Sequence, residues 1–283
     1  MKLPFELDLS GKCAVITGAG GVLCSDFAKA IAQCGAKVAL LDINLDAAEA
    51  VACRIRADGG KAIAVKVNCL DRDSLAEAKA VVDEKFGAAD ILINGAGGNN
   101  PRATTDCEYF DLDTLTDDTK KSFFDIAPEG IRFVFDLNVT AAFLTTQIFA
   151  LDMAKAGRGV ILNVSSMNAF SPLTKIPAYS AAKAAVSNFT QWLAVHFAQT
   201  GIRVNAIAPG FFVTNQNRGL LFSQDGSPTA RTGKILKGTP MRRFGEADEL
   251  IGSLLFLLSD EAAGFITGVV LPVDGGFAAY SGV

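Results

Sequence analysis

The sequence contains a single histidine and no Cys-x-x-Cys pair among its six cysteines. A Ser-His-Asp hydrolase or a histidine zinc site would have to use His196, which lies in an apolar, helix-like stretch and is expected to be a packed or surface residue. The cysteines stand at positions 13, 24, 34, 53, 69 and 107, several of them within apolar patterns. We therefore expect reduced, buried thiols in a cytoplasmic protein, without a disulfide framework or a metal site.

Basic charge and long apolar runs are scarce as well. The formal net charge is −4, whereas a nucleic-acid partner favours a basic face, so we predict no nucleic-acid binding. No run of about 18 consecutive apolar residues occurs and the N-terminus soon becomes acidic, so we expect no membrane span and no signal peptide. Hydrophobic residues still make up 50% of the 283 residues, which is enough for a large core.

Short apolar runs alternate with helix-like segments along the whole chain. This alternation is typical of a parallel sheet covered by helices on both faces. The sequence therefore predicts an α/β fold, a single-domain doubly wound parallel sheet of about seven strands that spans residues 1–283. The predicted strands are 12–17, 37–41, 62–67, 90–93, 160–164, 203–207 and 269–273, and the predicted helices are 26–35, 45–57, 74–86 (with Asp73 as N-cap), 133–154, 179–199 and 247–258.

Two segments, 97–130 and 209–240, are too long for the simple alternation. Loops beyond about 15 residues in a compact domain are usually functional or disordered. Both segments follow predicted strands, so both should rise from the carboxyl edge of the sheet, where ligands bind in such folds. We expect them to be substrate loops.

A glycine-rich turn follows the first predicted strand and opens a helix, with residues 17–24 reading Thr-Gly-Ala-Gly-Gly-Val-Leu-Cys. Glycines there let the backbone approach a pyrophosphate, which the amides at the helix start can bind. The alternative is an ordinary tight turn, since such a turn alone is weak evidence. Asp42 ends the second strand, where a carboxylate can accept hydrogen bonds from ribose hydroxyls and repel a 2′-phosphate. This favours NAD over NADP, although Asp42 could also be a helix N-cap.

Tyr179 and Lys183 are four residues apart on a predicted helix and should therefore point the same way. A phenol ionises near pH 10, and a neighbouring ammonium would lower that pKa towards neutrality. Ser166 ends a predicted strand 13 residues before Tyr179, and its hydroxyl could hold a substrate carbonyl. Taken alone, the Tyr-x-x-x-Lys spacing is a common accident, so its value depends on these partners.

With these residues in view, the chain resembles the short-chain dehydrogenase/reductase family over essentially its full length. The resemblance implies a Rossmann fold, a nicotinamide cofactor, for which Asp42 favours NAD, and a homotetramer joined through helices 133–154 and 179–199. It is carried by Thr17-Gly18 with the glycine turn, Asn94 to Gly97, Asn138, Ser166, Tyr179 to Lys183, and Pro209-Gly210.

The family roles fall on numbered residues of this chain. Tyr179 would be the general acid/base, Lys183 its pKa modulator and a ribose anchor, and Ser166 the carbonyl polariser. Asn138 would fix a water that links Lys183 to solvent. The implied cofactor-binding residues are Gly18, Gly20, Gly21, Val22, Leu23, Asp42, Asn68, Cys69, Asn94, Ala96, Gly97, Tyr179, Lys183, Pro209, Gly210, Phe212, Val213 and Thr214.

The sequence departs from the family pattern at several positions. Val22 and Cys24 occupy the last two glycine positions of the usual loop when no gap is allowed. A shift by one residue aligns Gly21 but puts Leu23 at the final position, so the register of the loop stays open. Asn68 replaces the aspartate that receives the adenine amino group, and its side-chain carbonyl could still accept that bond. Gly95 replaces the second asparagine of the Asn-Asn-Ala-Gly motif.

Within the family, residues 17–24, 97–101 and 214–218 are most similar to the sugar-acid branch that interconverts D-fructuronate and D-mannonate. Such a substrate needs hydroxyl partners and a cation for its carboxylate, best a bidentate arginine. The alternative for each loop residue is that it simply faces water. The substrate candidates are Asn99, Asn100, Arg102, Asn168, Asn217 and Arg218, with Asn215, Gln216, Lys175 and Arg231 as further candidates.

The sequence thus predicts an NAD(H)-dependent oxidoreductase acting on a keto sugar acid. Within the family, a gluconate/ketogluconate or polyol dehydrogenase is the main alternative. A hydrolase that uses Ser166 is disfavoured, because no Gly-x-Ser-x-Gly elbow is present. A non-catalytic NAD-binding sensor is the remaining alternative, since a fold does not guarantee chemistry.

Overall fold

One parallel sheet organises the protein. The computed structural model describes residues 7–213 and 218–282, except for the side chains of Arg218 and Leu220. Within these residues seven strands pair in the order β3-β2-β1-β4-β5-β6-β7, all in parallel. The strands are β1 (Cys13–Thr17), β2 (Lys37–Asp42), β3 (Lys61–Lys66), β4 (Ile91–Asn94), β5 (Gly159–Val164), β6 (Ile202–Pro209) and β7 (Val270–Val273). The order reverses between β1 and β4, which is where ligands bind in such sheets.

Helices connect the strands and cover both faces of the sheet. They are α1 (Val22–Gln33), α2 (Leu45–Ala57), α3 (Arg72–Phe86), α4 (Pro128–Phe135), α5 (Ala141–Ala156), α6 (Pro177–His196), α7 (Arg218–Leu221), α8 (Ala230–Gly238), α9 (Ile251–Leu258) and α10 (Asp260–Ala263). The predicted N-cap Asp73 was wrong, because the Asp71 side chain accepts from the amides of Asp73 and Ser74 and so starts α3 earlier. Helix α1 also starts earlier than predicted, since the glycine turn ends at Gly21 in extended backbone.

Each face of the sheet has its own apolar core, because successive residues of a strand point to opposite sides. Ile16 packs on one side with Phe27 of α1 and Leu254 of α9. Val15 packs on the other side in the cluster that contains Phe149 of α5. Fully burying a side chain such as Phe149 contributes about 1.5–3 kcal/mol. These two cores hold the strand ends, and hence the site residues that follow them, in place.

Helices α4 and α5 are joined by a π-helical turn at Asp136–Thr140 into one helix, Pro128–Ala156. By length and composition this helix could cross a membrane, but one side of it packs in the protein, where Val134, Phe149 and Met153 are buried. A π-turn inside an α-helix frequently marks a functional position. Here it contains Asn138.

The cysteines and the histidine follow the expectations in part. All six cysteines are free. Cys13, Cys24 and Cys34 are buried, but the expectation of burial was wrong for Cys53, which is exposed on α2. His196 is an exposed residue at the end of α6, and its ring stacks on Trp192 with centroids 4.6 Å apart.

Candidate active site

A cleft of about 920 Å³ lies at the carboxyl ends of the central strands. It is within the size range of small-molecule and cofactor sites, which is about 300–1,000 Å³. The catalytic candidates Ser166, Tyr179 and Lys183 line it. The predicted cofactor residues that line it are Gly18, Gly20, Gly21, Val22, Leu23, Asp42, Asn68, Cys69, Ala96, Gly97, Tyr179, Lys183, Pro209, Gly210 and Phe212.

Other predicted cofactor residues do not line the cleft. Asn94 is buried beneath it and donates to Thr146 Oγ1 at 2.9 Å and to Asn163 Oδ1 at 2.8 Å, so it supports the floor. Val213 is half-buried and does not belong to the lining. Thr214, Asn215, Gln216 and Asn217 lie outside the described residues, as does the side chain of Arg218.

Several lining residues were missed by the sequence reasoning. They share positions at or just past strand ends or on the cleft side of a helix, where a residue can contact a cofactor without belonging to a recognisable sequence motif. The position of a residue directly after a motif residue, such as Ile43 after Asp42, is the one signal in the sequence that could have found some of them. They are Cys24, Ile43, Asn44, Ala47, Val67, Leu70, Gly95, Phe133, Leu137, Val164, Ser165 and Phe211.

The glycine turn leaves its backbone accessible to a ligand. Gly18 has a φ of 64°, and a Cβ there would lie 2.9 Å from the Ala96 backbone, so this position requires glycine. Among the described residues no side chain caps the start of α1 at Gly21. Free amides at a helix start are a binding site for an anion such as a pyrophosphate. The turn therefore fits a dinucleotide despite the missing glycines.

Asp42 is tied to the glycine turn. Its Oδ2 accepts from the Gly20 amide and its Oδ1 from the Asn44 amide, both at 2.9 Å. Asn44 is the N-cap of α2, so the alternative role of Asp42 as N-cap was wrong. Among the described residues of the cleft lining, Lys183 is the only cation.

Asn68 lies exposed at the adenine end of the predicted site. Its Oδ1 accepts from the Leu70 amide at 3.1 Å, so the turn already uses one of its acceptor positions. An amide oxygen has two lone pairs. The predicted bond to an adenine amino group therefore remains compatible with this turn.

Tyr179 and Lys183 lie on one face of α6, as their spacing predicts. The Lys183 Nζ is 5.7 Å from the centroid of the Tyr179 ring and donates to the Val164 carbonyl at 2.8 Å. Burial lowers the pKa of Lys183 from 10.5 to about 8. Burial also raises the pKa of Tyr179, an effect that a hydrogen bond with Ser166 partly offsets. The expected lowering of the Tyr179 pKa is therefore wrong for the chain by itself, because desolvation of the phenol dominates.

Asn138 holds the start of the segment 97–130. Its Oδ1 accepts from the Gly98 amide at 3.1 Å, and its Nδ2 donates to the carbonyls of Gly98 at 2.7 Å and Val134 at 2.8 Å. A Cβ on Gly97 would lie 2.6 Å from Asn138 Oδ1 and 3.1 Å from Lys183 Nζ. The side chain of Asn138 is thus directed at backbone groups and positions the residues beside Lys183.

Ser166 follows β5 and lines the cleft, whereas Asn168, two residues on, does not line it. Ser166 is buried, and its Oγ accepts from the Asn168 amide at 3.2 Å. Asn168 is 5% exposed, and its Oδ1 has no hydrogen-bond partner among the described residues. A buried polar atom without a partner needs an explanation. Contact with a bound molecule is one.

The two long segments are joined by a salt bridge. Glu108 of 97–130 pairs with Lys234 of α8 at 2.7 Å, and the Thr105 amide donates to the Lys175 carbonyl at 2.9 Å.

The candidates Asn99, Asn100 and Arg102 do not line the cleft. Arg231 is exposed on α8. The Asn100 Oδ1 accepts from the Arg102 amide at 2.9 Å, so this group shapes a turn of the loop.

Comparison with known proteins matches this arrangement. The family model for short chain dehydrogenase matches residues 12–221. The chain belongs to this family. An oxidoreductase from Haemophilus influenzae without an assigned activity is 56% identical over 283 residues, covering 100% of this chain and 99% of that protein.

Two further relatives extend the comparison. An uncharacterized oxidoreductase from Bacillus subtilis, named UxuB, is 53% identical over 281 residues, covering 99% of this chain and 100% of that protein. A crystal structure from Haemophilus influenzae, provisionally described as a D-mannonate oxidoreductase with bound NAD, is 57% identical. It superposes with a TM-score of 0.94 over 98% of both chains. The Rossmann-type fold and the oxidoreductase class of this short-chain dehydrogenase are thereby established.

Proposed function

We propose that this short-chain dehydrogenase catalyses reversible hydride transfer between NAD(H) and a keto sugar acid, with D-fructuronate and D-mannonate as the pair. The observation that carries the proposal is the convergence of Ser166, Tyr179 and Lys183 in the same cleft as the uncapped glycine turn. A reduced nicotinamide bound there supplies the hydride. The chain's residues supply the proton and hold the carbonyl.

Tyr179 donates the proton in the direction of ketone reduction. As the carbonyl carbon gains hydride, the Tyr179 hydroxyl transfers its proton to the carbonyl oxygen, while Ser166 Oγ donates a hydrogen bond to that oxygen. Lys183 is protonated below its pKa of about 8 and stabilises the phenolate that remains. The reverse reaction uses the same groups, with the phenolate of Tyr179 as base.

The sugar-acid substrate is supported by polar groups close to Ser166. The Oδ1 of Asn168, which is buried outside the cleft lining and has no hydrogen-bond partner among the described residues, is the group that we assign to a substrate hydroxyl. Arg102, Lys175 and Arg231 remain the candidate partners for the substrate carboxylate, although none of them lines the cleft in the chain by itself. The provisional description of the Haemophilus influenzae relative as a D-mannonate oxidoreductase supports the same substrate.

NAD is the proposed cofactor because of Asp42. Its carboxylate lies at the end of β2 beside the cleft, where it can accept from ribose hydroxyls and repels a 2′-phosphate. Bound NAD in the Haemophilus influenzae relative supports this choice.

Steady-state assays of the purified chain test both parts of the proposal. We expect kcat/KM for fructuronate with NADH to exceed that for simple apolar ketones, and that with NADPH, by about 100-fold or more. Ketogluconates are the matched comparison, since they keep the carboxylate and hydroxyls. A preference for ketogluconates would support the gluconate alternative. A preference for apolar ketones would refute the substrate, and one for NADPH would refute the cofactor.

We also propose that the chain is a single domain and assembles as a homotetramer. Apolar side chains stay exposed on the outer side of α5 and α6: Phe143 by 40%, Leu151 by 55%, Trp192 by 57% and Val195 by 81%. Exposed apolar surface of this kind marks an interface. Light scattering should give four times the 29.6 kDa of one chain. The mass of a single chain would contradict the assembly.

A further inference from the structure

The floor of the cofactor cleft contains a side chain and a glycine that compete for the same space. A Cβ built on Gly95 would overlap the Cys24 Sγ and lie 2.7 Å from the Thr17 carbonyl oxygen. Cys24 is 5% exposed, and both residues line the cleft. They are also two positions at which the sequence departs from the family pattern: glycine stands in place of an asparagine and, in the ungapped register of the glycine loop, cysteine stands in place of a glycine.

We infer that these two departures are one steric exchange, in which the Cys24 thiol fills the space that a side chain at position 95 would occupy. Cys24 thereby acts as a positioning residue for the dinucleotide. The inference rests on cofactor binding and is independent of the sugar-acid substrate. Because burial raises the pKa of Cys24 to about 12, the thiol remains protonated and acts through its volume.

The contacts of residues 95–97 show how a change in the volume of the Cys24 side chain would affect the site. The amides of Gly95 and Ala96 donate to Thr17 Oγ1 at 3.1 and 3.2 Å, which ties the segment to the start of the glycine turn. Cys24 packs against it from α1. Gly97, two residues on, lies against Asn138 and Lys183. A shift of this segment would therefore move the groups around the Lys183 ammonium.

A double-mutant cycle on the full chain, measured by titration of NADH fluorescence, tests the exchange. We expect Cys24→Ala to raise the Kd for NADH about threefold to tenfold, and Gly95→Ala to raise it at least about 50-fold. In the double variant the Cβ atoms at 24 and 95 would be 3.7 Å apart, an ordinary contact. Removal of the thiol also gives the segment room to move away from the Thr17 carbonyl. The double variant should therefore bind NADH at least about tenfold more tightly than Gly95→Ala alone.

The control is Cys34→Ala, which removes a buried thiol after the other end of α1, away from the cleft, and should leave the Kd unchanged. If Gly95→Ala fails to fold, recovery of a cooperative melting transition in the double variant is the same test. The exchange is refuted if Gly95→Ala binds NADH like the wild type, or if the double variant binds and melts no better than Gly95→Ala. Binding by the wild type reports separately on the proposed cofactor.

Discussion

Replacing Tyr179 with phenylalanine is expected to lower kcat about 10²–10⁴-fold, the contribution of a positioned general acid/base. The phenol oxygen is the group in the cleft, beside Ser166, that can transfer a proton to the substrate. The Kd for NADH should change little, because phenylalanine keeps the ring and its packing. Steady-state kinetics and fluorescence titration of the same preparation measure the two quantities.

The matched control is Tyr280→Phe, which alters a tyrosine that is 45% exposed and outside the cleft lining. It should retain full turnover. If Tyr179→Phe kept the wild-type kcat, the tyrosine mechanism would be refuted. A protein that bound NADH but had no turnover with any substrate, even as the wild type, would instead be a sensor.

Replacing Lys183 with methionine should abolish activity and at the same time stabilise the protein at neutral pH. We expect kcat/KM to fall at least about 100-fold, since the ammonium that stabilises the Tyr179 phenolate is lost. The fall of the Lys183 pKa from 10.5 to about 8 on folding corresponds to a cost of about 3 kcal/mol in the free energy of unfolding. Loss of the bond to the Val164 carbonyl offsets about 1 kcal/mol, so the melting temperature should rise by several degrees.

The stabilisation by Lys183→Met should depend on pH. Below pH 8 the lysine is protonated in both the folded and the unfolded chain, so the full cost of burying the charge applies. Between about 8 and 10.5 the folded chain releases the proton while the unfolded chain keeps it. Wild-type stability therefore gains relative to the variant as the pH rises. By pH 10 most of the difference in melting temperature should be gone.

Lys66→Met provides the control for the stability measurement, because Lys66 is exposed at the end of β3 and its removal should have little effect at either pH. Thermal melting of the three proteins at pH 7 and pH 10 gives the comparison. A Lys183→Met variant that is less stable than the wild type at pH 7, or equally shifted at both pH values, would contradict the cost assigned to the buried ammonium.

The seven strands of the sheet were accessible from the sequence. Buried parallel strands are continuous apolar runs, and all seven predicted runs form strands of the sheet. Helix starts were less accessible. The beginning of α3 depends on which of two nearby aspartates, 71 or 73, accepts from the free amides, a choice that both residue types permit.

The geometry of the site was predictable where it depends on spacing within one helix. Tyr179 and Lys183 face the same cleft because four residues make about one turn. Their pKa values were not predictable, since each depends on how far packing removes water. The sequence suggested that the ammonium would lower the Tyr179 pKa, whereas burial raises it.

By itself, the sequence determined the parallel sheet, the glycine turn, the placement of Tyr179 and Lys183 on one helix face and the membership of the family, because these follow from local periodicity and from spacing along the chain. Only the tertiary structure decided that Asn138 holds Gly98 through hydrogen bonds, that the Asn168 Oδ1 is buried with no partner among the described residues, and that Cys24 occupies the space beside Gly95. Each depends on how residues from different parts of the chain are brought together. Such arrangements depend on the distances that core packing sets between those parts, and no local pattern encodes them.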